Sequence, residues 1–270
     1  MDYNYSSATL CAVLRSPSGG LALAMVTAHL VGDFVAQTDA MVASKRKPAV
    51  LFAHAAIQGA LAYVAVGIWR AWTLPLVVTL IHSTIDCGKL MYDRRKDRSS
   101  LRSFVADQGA HFASIVALAV IFARIEGSCA WQSKFGSLVL CLFVILSGAI
   151  LCIQFASLLI GLWVQPYLDQ MKDPVVSGDG QGAESRGLDN GGRTIGQWER
   201  GLIFLFVMTN MPSAVGFLVT AKSIFRFGEL TKAQNRKEAE YITIGTLMSF
   251  GIAFAVSLVT RFVAIRLYQP

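Results

Sequence analysis

Apolar residues in this chain run in long blocks separated by short charged stretches. They fall at about Leu21–Gln37, Ala49–Trp69, Thr73–Tyr92, Phe104–Arg124, Phe135–Val164, Thr194–Arg226 and Tyr241–Leu267. A helix needs about 20 apolar residues to cross about 30 Å of hydrocarbon, so the pattern predicts an all-α, polytopic transmembrane helical bundle of about seven or eight membrane segments. The Thr194–Arg226 block is too long for one simple span and is interrupted by Asn210-Met211-Pro212-Ser213. Proline removes a helical hydrogen bond, so this block predicts a Pro-broken helical hairpin. A hairpin also returns Lys232, Arg236 and Lys237 to the side of the preceding linker.

That linker is the stretch 166–191, where Gly178, Gly180, Gly182 and Gly187 mix with Ser and Asp. Such a composition reads as a flexible connection. It divides the chain into a five-helix membrane domain over 1–165 and a C-terminal part over 192–270, a hairpin plus a final helix. No sequence repeat relates the two halves.

Composition agrees with a membrane bundle. Residues are 54% hydrophobic and only 15% charged, against about 25% charged in soluble domains. The net charge of +7 does not read as a nucleic-acid footprint, because Lys and Arg gather in the short loops between apolar blocks. Positive charge on the cytoplasmic side encodes topology. Lys45-Arg46-Lys47 and the group Arg94, Arg95, Lys96, Arg98 and Arg102 therefore mark cytoplasmic loops, which places the N-terminus outside. Arg261 and Arg266 fit this rule less well. Met1–Gly20 carries Asp2 and no basic stretch before an apolar core, so it does not read as a cleaved signal peptide. The five cysteines show no C-x-x-C spacing and read as inert buried thiols.

The chemistry concentrates in the first four blocks. All four histidines, His29, His54, His82 and His111, lie there with Asp33, Asp86 and Asp107. Three pairs, His29/Asp33, His82/Asp86 and Asp107/His111, are spaced four apart and so share one helix face. Ionisable side chains at membrane depth are costly and normally face the bundle interior. Counting rise from the cytoplasmic ends places Asp33, His54, Asp86 and Asp107 roughly 5–9 Å deep, and His29, His82 and His111 roughly 10–15 Å deep. Imidazole and carboxylate together suit a divalent transition metal, zinc first, with manganese or iron as alternatives, and two layers offer room for one or two ions. His29, Asp33, His82, Asp86, Asp107 and His111 are the expected ligands. His54 is expected as a ligand or general base. Lys89 is expected to pair with Asp86 or to meet an anionic substrate. Gln37, Gln58, Gln108, Ser83 and Thr84 are expected to orient ligands. The alternative is a packing network of hydrogen bonds between helices.

A second polar set lies in the C-terminal part: Arg193, Glu199, Arg200, Lys222, Arg226 and Glu240. It reads either as an interfacial salt-bridge network or as contacts to an anion or lipid headgroup. No Walker, Rossmann, zinc-finger or nucleophile-elbow pattern is present.

The run His29-Leu30-Val31-Gly32-Asp33-Phe34-Val35-Ala36-Gln37-Thr38-Asp39, with Lys45-Arg46, His54, His82-Ser83-Thr84-Ile85-Asp86 and Asp107-Gln108-Gly109-Ala110-His111, resembles an uncharacterised bacterial inner-membrane family, a domain of unknown function. The resemblance covers about the first 125 residues and implies a multi-pass protein of the bacterial inner membrane. Gly192–Arg200, Gly216–Phe227 and Glu240–Ser249 resemble an extension that some members carry. The His82-x-x-x-Asp86 motif is distantly similar to the YdjM-type membrane-bound metal-dependent hydrolases, which implies hydrolysis by analogy. Three functions follow as expectations. The first is a metal-dependent hydrolase acting on a phosphate-bearing or lipid substrate beside the basic loops. The second is a divalent-cation or proton transporter using the same residues. The third is a scaffold or sensor without catalysis. The expected partners are membrane lipids and an anionic substrate, not nucleic acid, and the sequence leaves homo-oligomer formation open.

Overall fold

The structure, a computed structural model, describes residues 2–96, 100–171, 191–230 and 236–269. Most of the expected linker, 166–191, lies outside the described residues. These hold no strand. The elements of the first part are α1 (Asp2–Arg15), α2 (Pro17–Val31), a π-helical turn π1 (Gly32–Ala36), α3 (Asp39–Ser44), α4 (Pro48–Val66), α5 (Thr73–Lys96), α6 (Leu101–Glu126), α7 (Ala130–Phe135) and α8 (Ser137–Ile150). There follow π2 (Leu151–Phe155), α9 (Ala156–Met171), α10 (Gly191–Met208), α11 (Ala214–Leu230) and α12 (Arg236–Tyr268). Two compact units result: residues 1–150 with 260–270, and residues 151–259.

Among the described residues, six stretches are long and apolar enough to cross a membrane: Pro17–Ala36, Pro48–Val66, Thr73–Arg94, Leu101–Glu126, Ser137–Asp169 and Glu240–Tyr268. The expected hairpin is present as α10 and α11, separated by a turn in which Asn210 adopts a positive φ of 65°. Its arms fall outside those six because α10 carries Arg193, Glu199 and Arg200, and α11 has only 17 residues.

The first unit has an inverted polarity. Its interior holds His54 at 1% exposure and Asp86 at 2%, while Leu76 and Leu80 on the outside are 60% and 67% exposed. Between helices in lipid the hydrophobic effect contributes little, so close packing and hydrogen bonds do the holding. Gly59 on α4 illustrates the packing, because an added Cβ would collide with the Pro75 carbonyl of α5. Thr27 on α2 and Ser147 on α8 illustrate the bonding, with hydroxyls 2.9 Å apart. A buried cluster of Leu21, Met25, Leu74, Ile115 and Phe122 fills the end of the bundle away from the charged loops.

Candidate metal centre

Four helices deliver the polar interior of the first unit. The start of α2 is fixed by Ser16, whose hydroxyl accepts from the Gly19 N–H at 3.1 Å, and by Pro17 in the first helical turn. Toward its end the helix widens into π1, where the Gly32 N–H is shared between the Ala28 and His29 carbonyls. One-turn π segments recur at functional sites because they re-aim side chains. Here the widened turn carries Asp33. Helix α4 contributes His54 and Gln58, and α5 contributes His82, Asp86 and Lys89. Helix α6, opened by a reciprocal Ser100/Ser103 cap, contributes Asp107, Gln108 and His111.

These side chains meet. Nε2 of His54 lies 3.1 Å from Nε2 of His82 and 3.2 Å from Oδ1 of Asp33. Nε2 of His82 lies 3.5 Å from Asp33 Oδ1 and 3.4 Å from Asp86 Oδ2, and His54 Nε2 is 3.8 Å from the same Asp86 oxygen. Nε2 of His111 lies 3.7 Å from Asp86 Oδ1 and 3.6 Å from Asp107 Oδ1. His29 completes the set, with Nε2 3.7 Å from Asp33 Oδ2. The His82 and His111 rings stack with centroids 4.2 Å apart, and the His29 and His111 rings are 4.8 Å apart. Those three imidazoles and Gln58 line a cavity of about 20 Å³, room for about one water-sized body.

The donor chemistry suits a cation. Ligands held at about 2.0–2.2 Å and subtending about 90–110° at one ion lie about 2.8–3.6 Å apart. The observed separations run from 3.1 to 3.8 Å. Hydrogen bonds alone serve this set poorly, since a ring nitrogen carries one proton at most. His54 Nε2 faces three acceptor-type atoms within 3.8 Å. Buried Oδ1 of Asp107 and Nε2 of His111 have no hydrogen-bond partner at all. Three groups thus have ligand atoms within 4.8 Å of one another: His29/His82/His111, Asp33/His54/His82 and Asp86/Asp107/His111.

Outer partners steady the carboxylates. Gln58 Nε2 donates to Asp33 Oδ1 at 2.5 Å and to the His29 carbonyl at 3.4 Å. Gln108 Nε2 donates to Asp33 Oδ2 at 3.3 Å and to Asp107 Oδ2 at 3.2 Å, while its Oε1 lies 3.4 Å from His29 Nε2. Lys89 Nζ pairs with Asp107 Oδ2 at 3.0 Å rather than with Asp86. Asp86 is taken instead by Lys45, 2.7 Å from its Oδ2. Sequence reasoning missed this role of Lys45, because its basic run Lys45-Arg46-Lys47 served only as a topology mark. Gln37 bonds to no ligand, and its side-chain nitrogen is buried without a partner. The Ser83 and Thr84 hydroxyls, expected to orient ligands, donate to the Thr79 and Leu80 carbonyls of their own helix. A hydroxyl bonded back to the preceding turn is the ordinary fate of Ser and Thr inside a helix.

Beside Asp86 and Lys89 opens a cavity of about 430 Å³, also lined by Gln37, Lys45, Arg46 and Arg94. Four basic side chains outnumber Asp86 and Asp93 in its lining, and Asp86 joins it to the cluster.

The second unit holds the other polar set. Lys222 of α11 bonds Glu199 of α10, closing the hairpin, and its ammonium lies 5.3 Å from the Phe250 ring. Arg200, 3% exposed, donates to Ser249 Oγ at 3.0 Å and to the Ile153 carbonyl at 2.9 Å. Arg193 borders the same cavity of about 500 Å³. Glu240 is exposed. The side chain of Arg226 lies outside the described residues. Of the cysteines, Cys11, Cys129, Cys141 and Cys152 are buried and Cys87 is exposed. Burial pushes the Cys129 thiol up, which keeps it protonated and inert. The exposed Cys87 departs from the expectation of buried thiols, because it follows Asp86 on the outward face of α5.

Residues 21–142 match the family model described as "Protein of unknown function (DUF3307)". That stretch contains the whole His/Asp cluster with Lys45, Gln58, Lys89 and Gln108. No curated protein and no solved structure matches the chain.

Proposed function

We propose that the membrane bundle carrying this uncharacterised domain is a metal-dependent hydrolase of the bacterial inner membrane. Its substrate is an anionic, phosphate-bearing ester, a lipid among the candidates, taken up from the cytoplasmic side. The observation that carries the reading is a juxtaposition: a buried His/Asp cluster of metal-ligand spacing reaches a basic cavity through Asp86. When bound, a divalent ion lowers the pKa of a water in its coordination sphere and polarises a phosphoryl oxygen.

The chain's own residues do the remaining work. Lys45, Arg46, Lys89 and Arg94 attract and orient the phosphate at the cavity rim. Asp107 Oδ1 and His111 Nε2, buried without hydrogen-bond partners, are available to hold the ion. Packed apolar helices on the far side exclude bulk water. Hydrolysis adds one water across the ester P–O bond: its oxygen goes to phosphorus and a proton goes to the departing alkoxide. The basic loops at the cavity support a cytoplasmic mouth and an N-terminus outside.

The test uses detergent-purified full-length protein loaded with Zn²⁺ or Mn²⁺ and dioctanoyl phosphatidic acid as the probe, with inorganic phosphate release as the readout. Release that disappears in Asp107→Asn, at unchanged helicity and Tm, supports the reading. Loaded protein that cleaves no phosphoester, but drives metal uptake into proteoliposomes, replaces hydrolysis with transport.

A further inference from the structure

We infer that the cluster is a dinuclear centre in which Asp86 bridges two divalent cations. The inference rests on the metal-centre reading and deepens it. Asp86 presents its two oxygens to the two sets that hold the remaining carboxylates, Asp33 on one side and Asp107 on the other. Its Oδ2 faces His82 at 3.4 Å and His54 at 3.8 Å, and its Oδ1 faces His111 at 3.7 Å. The first set is a group of three, Asp33 Oδ1, His54 Nε2 and His82 Nε2, which Asp86 Oδ2 joins as a fourth ligand through the two imidazoles. Five of the six separations among these four atoms are between 3.1 and 3.8 Å. The second set has three protein ligands, Asp86 Oδ1, Asp107 Oδ1 and His111 Nε2.

The two sets differ in the way that structural and catalytic ions differ. Four protein ligands close a coordination shell, whereas three leave a position for water or substrate. The three-ligand set contains the partnerless Asp107 Oδ1 and His111 Nε2, on side chains 3% and 2% exposed. Its other Asp107 oxygen already holds Lys89, whose ammonium borders the basic cavity. A carboxylate bridging through both oxygens suits the separation of about 3.5–4 Å found in two-metal phosphoester sites.

Charge points the same way. Three carboxylates and two lysines meet four imidazoles here, and one divalent ion leaves the group only weakly positive. A second ion makes it strongly so, matched to a multiply charged phosphate. The ion held by Asp86, Asp107 and His111 is therefore the reactive one. The ion held by Asp33, His54, His82 and Asp86 anchors the bridge.

The decisive experiment titrates metal-free, full-length protein in detergent with Mn²⁺, reading bound metal by elemental analysis and its state by electron paramagnetic resonance. Two equivalents are expected per chain. The second should quench the six-line signal of the first through spin coupling across Asp86. Asp107→Asn should keep one equivalent with an uncoupled six-line spectrum, and His54→Ala should do the same from the other side. A single equivalent in the unaltered protein, or a second that adds to the six-line signal, overturns the dinuclear centre. In that case phosphate release by the singly loaded protein keeps the hydrolase reading alive. No bound metal removes both. The stoichiometry and the coupling are both read on unaltered protein, so they stand even where a variant misfolds.

Discussion

Replacing Gly32 with alanine tests the link between the π-helical turn and the cluster. An added Cβ would lie 2.5 Å from Gln58 Oε1 and closer still to the amide carbon. Gln58 is only 2% exposed, and the cavity beside it holds about one water-sized body, so the amide has little room to swing. Overpacking of this kind costs about 1–3 kcal/mol. The displaced amide is the one that donates to Asp33 Oδ1 at 2.5 Å. Losing such an outer partner weakens metal binding by about 10–100-fold, equivalent to about 1.4–2.8 kcal/mol. Gly109→Ala is the matched control, because it lies on α6 beside Gln108 with nothing within 4 Å of its would-be Cβ. There, alanine gains about 0.5–1 kcal/mol of helix stability and leaves the cluster alone. Metal affinity is measured by competition with a chromophoric chelator, and Tm by circular dichroism in the same detergent. Gly32→Ala binding metal with wild-type affinity would refute the role given to Gln58 and the turn.

Two further outcomes are expected. Lys45→Ala and Lys89→Ala should each raise KM for an anionic ester while keeping the bound metal, measured by phosphate release beside elemental analysis. Loss of metal in either variant would make that lysine part of the site's frame instead. A chelator such as EDTA should lower Tm, and restoring the ion at 100 times its Kd should return about 2.7 kcal/mol of stability. An unchanged Tm across that cycle would argue against a metal held by the folded bundle.

Much of this arrangement was legible because membrane helices obey few rules strictly. Apolar blocks marked the helices, and i,i+4 spacing put His82 and Asp86 on one face. The cost of ionisable groups in hydrocarbon predicted that this face points inward. What spacing cannot show is which of several nearby partners a long side chain selects. Lys89 has Asp86 about one turn away on its own helix, yet its four-carbon stem reaches Asp107 on α6, while Lys45 arrives from a loop to take Asp86. The π turn was equally hidden, since Gly32-Asp33-Phe34-Val35-Ala36 reads as ordinary apolar helix. Only the packing of Gln58 against Gly32 reveals why the glycine is there. The hairpin's charges were legible but not their fate: Glu199 and Arg200 of α10 find partners inside the second unit.

The cluster draws on four helices, from His29 on α2 to His111 on α6, and a ribosome delivers those helices in order. Until α6 arrives, Asp33, His54, His82 and Asp86 form an unfinished polar face, and ionisable side chains left facing hydrocarbon are costly. A nascent chain stalled before Leu101 therefore offers membrane proteases a wettable seam. A finished bundle closes it. On the metal-centre proposal, an ion bound there would clasp the four helices together, and metal supply during synthesis would bear on how long newly made protein lasts.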